Sequence, residues 1–106
     1  MPQDWSADVK KYAPNANPAA INGIIKHLGI ALQKRDSSLV ACADKAERDR
    51  IRDHFLKKKL ALTQGDAELD KAVVDVCQKM HGDHDKSRVA FYYLLAEKYN
   101  KLSMFG

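Results

Sequence analysis

Four potential metal ligands crowd one short run of this chain, His81-Gly82-Asp83-His84-Asp85. Imidazole and carboxylate are donors that zinc and related ions accept. The spacing argues against a site. His81 and His84 straddle a helix-breaking glycine, so they do not share a helical face as the histidines of a His-Glu-x-x-His motif do. Helix termini account for the same residues one by one: Gly82 stops a helix, Asp83 or Asp85 caps the next, and the histidines lie in a solvated loop. The expectation is therefore no metal and no cofactor, with His81, Asp83, His84 and Asp85 as the fallback ligand set.

The second chemical feature is charge. Between Lys45 and Lys59 stand seven basic residues (Lys45, Arg48, Arg50, Arg52, Lys57, Lys58 and Lys59) against three acids (Glu47, Asp49 and Asp53). That excess equals the formal net charge of the whole chain, +4, so the remainder is neutral. On an α-helical wheel Arg48, Arg52 and Lys59 fall within about 40° of one another, with Lys58 on the other flank of the inward stripe. Arg48, Arg52, Lys57, Lys58 and Lys59 are thus the candidate contacts for a nucleic-acid backbone. A structural explanation competes. Asp53 with Lys57 and Asp49 with Arg52 have the spacing of intrahelical ion pairs, and cations in a last turn complement the helix dipole. No aromatic platform accompanies the basic run.

Covalent and acid–base chemistry find little footing. Neither Cys42 nor Cys77 has an adjacent histidine, no Gly-rich phosphate cradle or Gly-x-Ser-x-Gly elbow occurs, and the paired carboxylates sit where helix caps belong. His27 reads as a boundary histidine on the flank of a buried helix. The two cysteines, far apart in sequence, read as small, partly buried hydrophobes; one bridge would suit a secreted protein, and nothing else suggests secretion. No apolar run approaches the ~20 residues of a membrane span and no signal pattern opens the chain, so the expected place is the cytoplasm.

Helices must position these groups. Asp4 or Ser6 caps a short first helix that Pro14 ends. Asn17-Pro18 starts a second helix reaching Lys34 or Arg35, with Ile21, Ile24, Ile25, Leu28 and Leu32 on one stripe. Gly23 on its back face marks a close approach by another helix. Asp36-Ser37-Ser38 turns the chain, and Leu39–Ala43 is an apolar connector of about one helical turn. Asp44 and Glu47 have capping-box spacing ahead of the basic helix, which presents Ile51, Phe55 and Leu62 inward. Asp66 caps a helix with the stripe Leu69, Val73, Val76 and Met80. In the last helix, Val89–Ala96 carries no charge, so it is either the hub of the core or shared with a second subunit. The apolar tail Leu102, Met104 and Phe105 either returns to the first helix near Trp5 or joins an interface. No segment alternates with period two.

Asp4-Trp5, Asp8-Val9-Lys10-Lys11-Tyr12, Phe55-Leu56-Lys57-Lys58-Lys59-Leu60 and Arg88-Val89 leading to Tyr92-Tyr93-Leu94-Leu95-Ala96-Glu97 together resemble a family of short bacterial proteins known only as a domain of unknown function. The resemblance spans Trp5 to about Leu102. It implies a bacterial, single-domain helical protein and supplies no activity, cofactor or catalytic residue. The sequence as a whole predicts an all-α fold, a compact orthogonal bundle of about five helices forming one domain over residues 1–106. The expected function is a non-catalytic interaction module with an unidentified protein partner, a second copy of the chain being one candidate. The alternative is nucleic-acid binding through the Lys45–Lys59 helix.

Overall fold

Eight consecutive uncharged residues need a nonpolar environment on every side, and the fold supplies it. A computed structural model describes residues 5–33, 39–82 and 86–105. Among these residues five helices form an all-helical bundle: α1 (Trp5–Tyr12), α2 (Pro18–Leu28), α3 (Lys45–Arg50), α4 (Asp66–Lys79) and α5 (Arg88–Lys98). Short 3-10 turns follow α2 (Gly29–Gln33) and α5 (Leu102–Met104), and a π-helix (Ile51–Lys59) continues α3. Every residue of α5 from Arg88 to Ala96 is buried. α1, α2, α4 and the final 3-10 turn all pack on α5. The apolarity of α5 is therefore accounted for within one chain, as the hub of the core.

The start of α2 follows from its sequence. Asn17 Oδ1 accepts from the Ala19 N–H at 2.9 Å, Pro18 takes the first helical position, and the Asn17 N–H donates to the Tyr93 hydroxyl at 3.0 Å. The helix stops at Leu28 rather than near Arg35, because Gly29 turns to a φ of 41° and the chain tightens into 3-10 winding. Ile21 and Ile24 are buried, with Ile25, Leu28 and Leu32 packed at the core's edge. In α4, Leu69, Val73 and Val76 are buried, as is Met80 at its C-cap, as their spacing predicts.

Several termini differ from expectation. α4 ends at Lys79, before Gly82 is reached, and its N-cap is Gly65, with Asp66 in the first turn. The cap of α5 is Ser87, whose Oγ accepts from the Ala90 N–H, instead of Asp83 or Asp85. Leu39–Ala43 is not a helical turn. Leu39 forms an isolated bridge with Ser87, and the Val40 N–H donates to the Lys86 carbonyl at 2.8 Å. The sites of Asp4, the Asp36–Ser38 turn, Asp83, His84 and Asp85 lie outside the described residues.

The largest departure is the winding of residues 51–59. Here the chain makes i→i+5 hydrogen bonds, ending with the Leu60 N–H to the Phe55 carbonyl at 2.9 Å. π-Winding places more residues in each turn than α-winding. Ile51, Phe55, Leu56 and Leu60, spaced by alternating fours and ones, then share a side, and all four are buried. On an α-helical wheel Leu56 and Leu60 would face away from Ile51. Leu62, expected inward, is only half-buried. The helix closes where Ala61 takes a left-handed φ of 55°.

The cysteines also depart from expectation: they are joined, Cys42 to Cys77, with Cα atoms 5.9 Å apart. Extended backbone at Leu39 and Val40 carries the connector past the last turn of α4, a proximity that a separation of 35 residues does not announce. A buried ion pair completes the bundle. Arg88 donates to Glu47, to the Leu39 carbonyl (3.1 Å) and to the Tyr92 hydroxyl (3.1 Å). Glu47 is only 6% exposed and Arg88 only 7%. Removing one partner leaves a buried charge uncompensated, so Glu47→Gln should lower stability in urea unfolding by about 3–5 kcal/mol. The double change Glu47→Leu with Arg88→Met should recover most of that loss, and an additive double mutant would show that the two charges do not depend on each other.

Candidate functional site

The basic segment is the first place to look for a site, and most of its cations are already engaged. Arg48 Nη1 donates to the Cys42 carbonyl at 2.8 Å. Arg52 is clasped by Asp53 (2.9 Å), Asp70 (2.9 Å) and Asp49 (3.3 Å), with its side chain only 15% exposed. Hydrogen bonds to Asp53 and then Asp70 raise the Arg52 pKa. Lys57 pairs with Asp66 across the junction of the π-helix and α4 and with Asp53 at 3.6 Å, and its pKa is raised chiefly by the Asp66 hydrogen bond. Asp53 is lowered by its hydrogen bonds to Arg52, and Asp49 by that to Lys45. Lys58 is exposed, while Lys59 turns toward the C-terminal segment. Of the five candidate contacts, Arg48, Arg52 and Lys57 thus have partners within the protein and Lys59 faces the Phe105 ring.

Of the proposed loop ligands, only His81 lies among the described residues, exposed beyond the end of α4. No group of three His, Cys, Asp or Glu side chains among the described residues is arranged to hold a metal. No helix among them is long and apolar enough to cross a membrane.

A different cluster forms where Lys59 ends up. Gly23, Lys26 and His27 of α2, Lys59 of the π-helix, and Met104 and Phe105 line a shallow groove of about 310 Å³. Gly23 makes the arrangement possible, since a Cβ there would lie 1.9 Å from the Phe105 carbonyl oxygen. The close approach predicted at Gly23 is real, and what approaches is the C-terminal segment. That segment folds back onto α2, where the sequence suggested the first helix near Trp5 or an interface. Lys59 Nζ lies 5.3 Å from the Phe105 ring centroid, a cation–π distance. The His27 ring sits 6.2 Å from both Phe55 and Phe105, and Phe55 stacks at 4.0 Å on Tyr92 of the hub.

Among the described residues that line the groove, the charged side chains have one sign. Two ammonium groups and an imidazole line it, and no carboxylate among the described residues does. Burial first, and the Lys59 charge second, lower the His27 pKa below its ordinary 6.5. This arrangement can hold an anion beside an apolar side chain. Among its described residues no nucleophile is paired to a base. Sequence reasoning missed Lys26 altogether and placed Lys59 on another face. The readable signal was the spacing of Gly23, Lys26 and His27, which puts all three on one face of α2.

Two outcomes test this geometry. Gly23→Ala favours the helix intrinsically yet forces the Phe105 backbone aside. Amide exchange at Met104 and Phe105, whose N–H groups bond to Lys101 and Leu102, should therefore accelerate; unchanged exchange would contradict the seat. In NMR titration the His27 imidazole should have a midpoint below 6.5. Lys59→Gln should raise that midpoint only part of the way, burial being the larger cause. The unfolded chain takes up this proton first as pH falls, so the His27 contribution to stability is present above the unfolded value near 6.5 and declines below it.

Residues 4–103 match the family described as a protein of unknown function, DUF2853. No curated protein shows significant similarity to the chain. The match extends through α1 to the final 3-10 turn, and so includes the hub, the bonded cysteines and most of the groove. The chain belongs to this family of unknown function.

Proposed function

We propose that this protein is a non-catalytic interaction module that binds an anionic segment of a protein partner in the groove between α2, Lys59 and the C-terminal turn. The observation that carries this reading is the convergence of Lys26, His27 and Lys59 on Met104 and Phe105, with no carboxylate among the described lining residues. Met104 is 44% exposed, one of two large hydrophobic residues exposed among those described. A cationic rim around an accessible apolar floor favours a partner carrying both features over a naked phosphate chain. We place the module in a bacterium, in keeping with the family resemblance, and in its cytoplasm, where the Cys42–Cys77 bond would meet reducing thiols.

Binding of nucleic acid by the basic segment is less well supported, because Arg48, Arg52 and Lys57 are consumed by internal contacts. The two readings separate in one experiment. Immobilised wild type, the groove variant Lys26→Glu/Lys59→Glu and the control Lys10→Glu/Lys71→Glu are exposed to nuclease-treated bacterial lysate at about 0.15 M salt. The expected result is a discrete protein retained by wild type and control and lost from the groove variant. Equal retention by all three chains, or no retained protein, would remove the groove as the binding surface. Micromolar binding of duplex DNA by wild type, abolished by Lys57→Gln/Lys58→Gln/Lys59→Gln, would promote the nucleic-acid reading.

A further inference from the structure

The bond between Cys42 and Cys77 lies at the edge of the core. Both residues pack against the buried cluster, yet each remains only half-buried. Around Cys42 the connector residues Ala41, Ala43 and Asp44 are exposed, and the nearest buried residue before it is Val40. Besides Val40 in the core, the segment is held by hydrogen bonds. Arg48 holds the Cys42 carbonyl, Arg88 holds the Leu39 carbonyl, and Val40 bonds to Lys86. The large buried side chains of the core come from the helices and do not include either cysteine.

We propose that Cys42–Cys77 is a reversible redox clasp, opened and closed by a low-molecular-weight thiol while the helical bundle stays folded. The thiolate of the small thiol attacks one sulfur, giving a mixed disulfide and releasing the other cysteine as thiolate. A second small thiol then attacks the mixed disulfide. Overall the protein disulfide gains two electrons and two protons, and two small thiols become one small-molecule disulfide. The Arg48 guanidinium, fixed on the Cys42 carbonyl, holds the backbone of this cysteine in place through the exchange.

Opening the bond removes the connector's covalent tie to α4 and leaves the hydrogen bonds at Leu39, Val40 and Cys42. Asp44, whose Oδ1 caps α3 through the Ala46 N–H, is the residue at the far end of the released stretch. The structural change is therefore local: residues 41–44 and the start of α3 loosen, while α5 keeps its neighbours. This inference is independent of the groove reading, since neither cysteine lines that groove.

Folded wild-type protein is equilibrated without denaturant in buffers of varied reduced-to-oxidised glutathione, quenched with acid, alkylated and weighed. Alongside, hydrogen exchange and circular dichroism are measured for both forms and for Cys42→Ser/Cys77→Ser. The expected reduction is first order in glutathione and faster than global unfolding, and the process reverses with oxidised glutathione. Helical dichroism and a cooperative melt persist, with Tm lower by roughly 10–25 °C. Exchange protection falls about tenfold or more within 40–46 and the last turn of α4, with α5 unchanged. The serine variant should match the reduced form. Resistance to glutathione until denaturant is added would overturn the proposal, as would unfolding of both the reduced and serine forms. Failure of the native dithiol to reoxidise, or loss of protection spread evenly over all helices, would also do so.

Discussion

Arg88 is a charge that the fold has no way to leave in water. It begins a helix whose next eight residues are buried, so its guanidinium lies inside the protein along with them. Desolvation of that kind is tolerable only with a partner and satisfied hydrogen bonds. Glu47 supplies the countercharge, and the Leu39 carbonyl and Tyr92 hydroxyl take further donors. This one requirement fixes where α3 starts relative to α5, and holds the extended connector between them. Glu47 reaches outward to Arg50 with its second oxygen at 3.1 Å, so the carboxylate links the interior to the surface.

From that anchor the π-helix assigns each side chain of residues 51–59 to the core or to the surface. Its wider winding gathers Ile51, Phe55, Leu56 and Leu60 against the hub and turns Arg52 and Lys57 toward the acids of α4. A regular α-helix of the same sequence would divide its apolar residues between two faces. The extra residue per turn is thus matched to burial, and one effect is that Lys59 leaves the basic row and meets Phe105. Charge that looks like a continuous stripe in sequence becomes two separate things in space: a set of internal ties to α4 and a cationic rim beside an aromatic ring.

Much of the bundle was legible because caps and stripes are local. Asn17-Pro18, the α4 stripe of Leu69, Val73, Val76 and Met80, and the uncharged run in α5 each express physics contained within a few neighbouring residues. The misreadings came from interactions across distance or from changed winding. Glu47 has capping-box spacing but is claimed by Arg88, 41 residues away. Cys42 and Cys77 have no local signature of their pairing. The wheel used for the basic helix assumed a pitch that the chain abandons at Ile51. Of the groove, only the α2 residues Gly23, Lys26 and His27 carried a readable signal, Gly23 most plainly, because a bare backbone on a helix otherwise rich in isoleucine requires a reason. Met104 and Phe105 offered apolarity but no indication of the surface on which they would settle.

The disulfide also gives the chain a topology that its compact shape conceals. Joining Cys42 to Cys77, 35 residues apart, makes a covalent ring that contains α3, the π-helix and nearly all of α4. A molecular motor that threads polypeptide would meet this ring beyond α2 and its 3-10 turn when pulling from the N-terminal side, or beyond α5 when pulling from the C-terminal side. Beyond that point it would have to draw a doubled chain through its pore. With the bond closed, the middle third of the protein is mechanically set apart from the hub helix; with it open, the same sequence passes as a single thread.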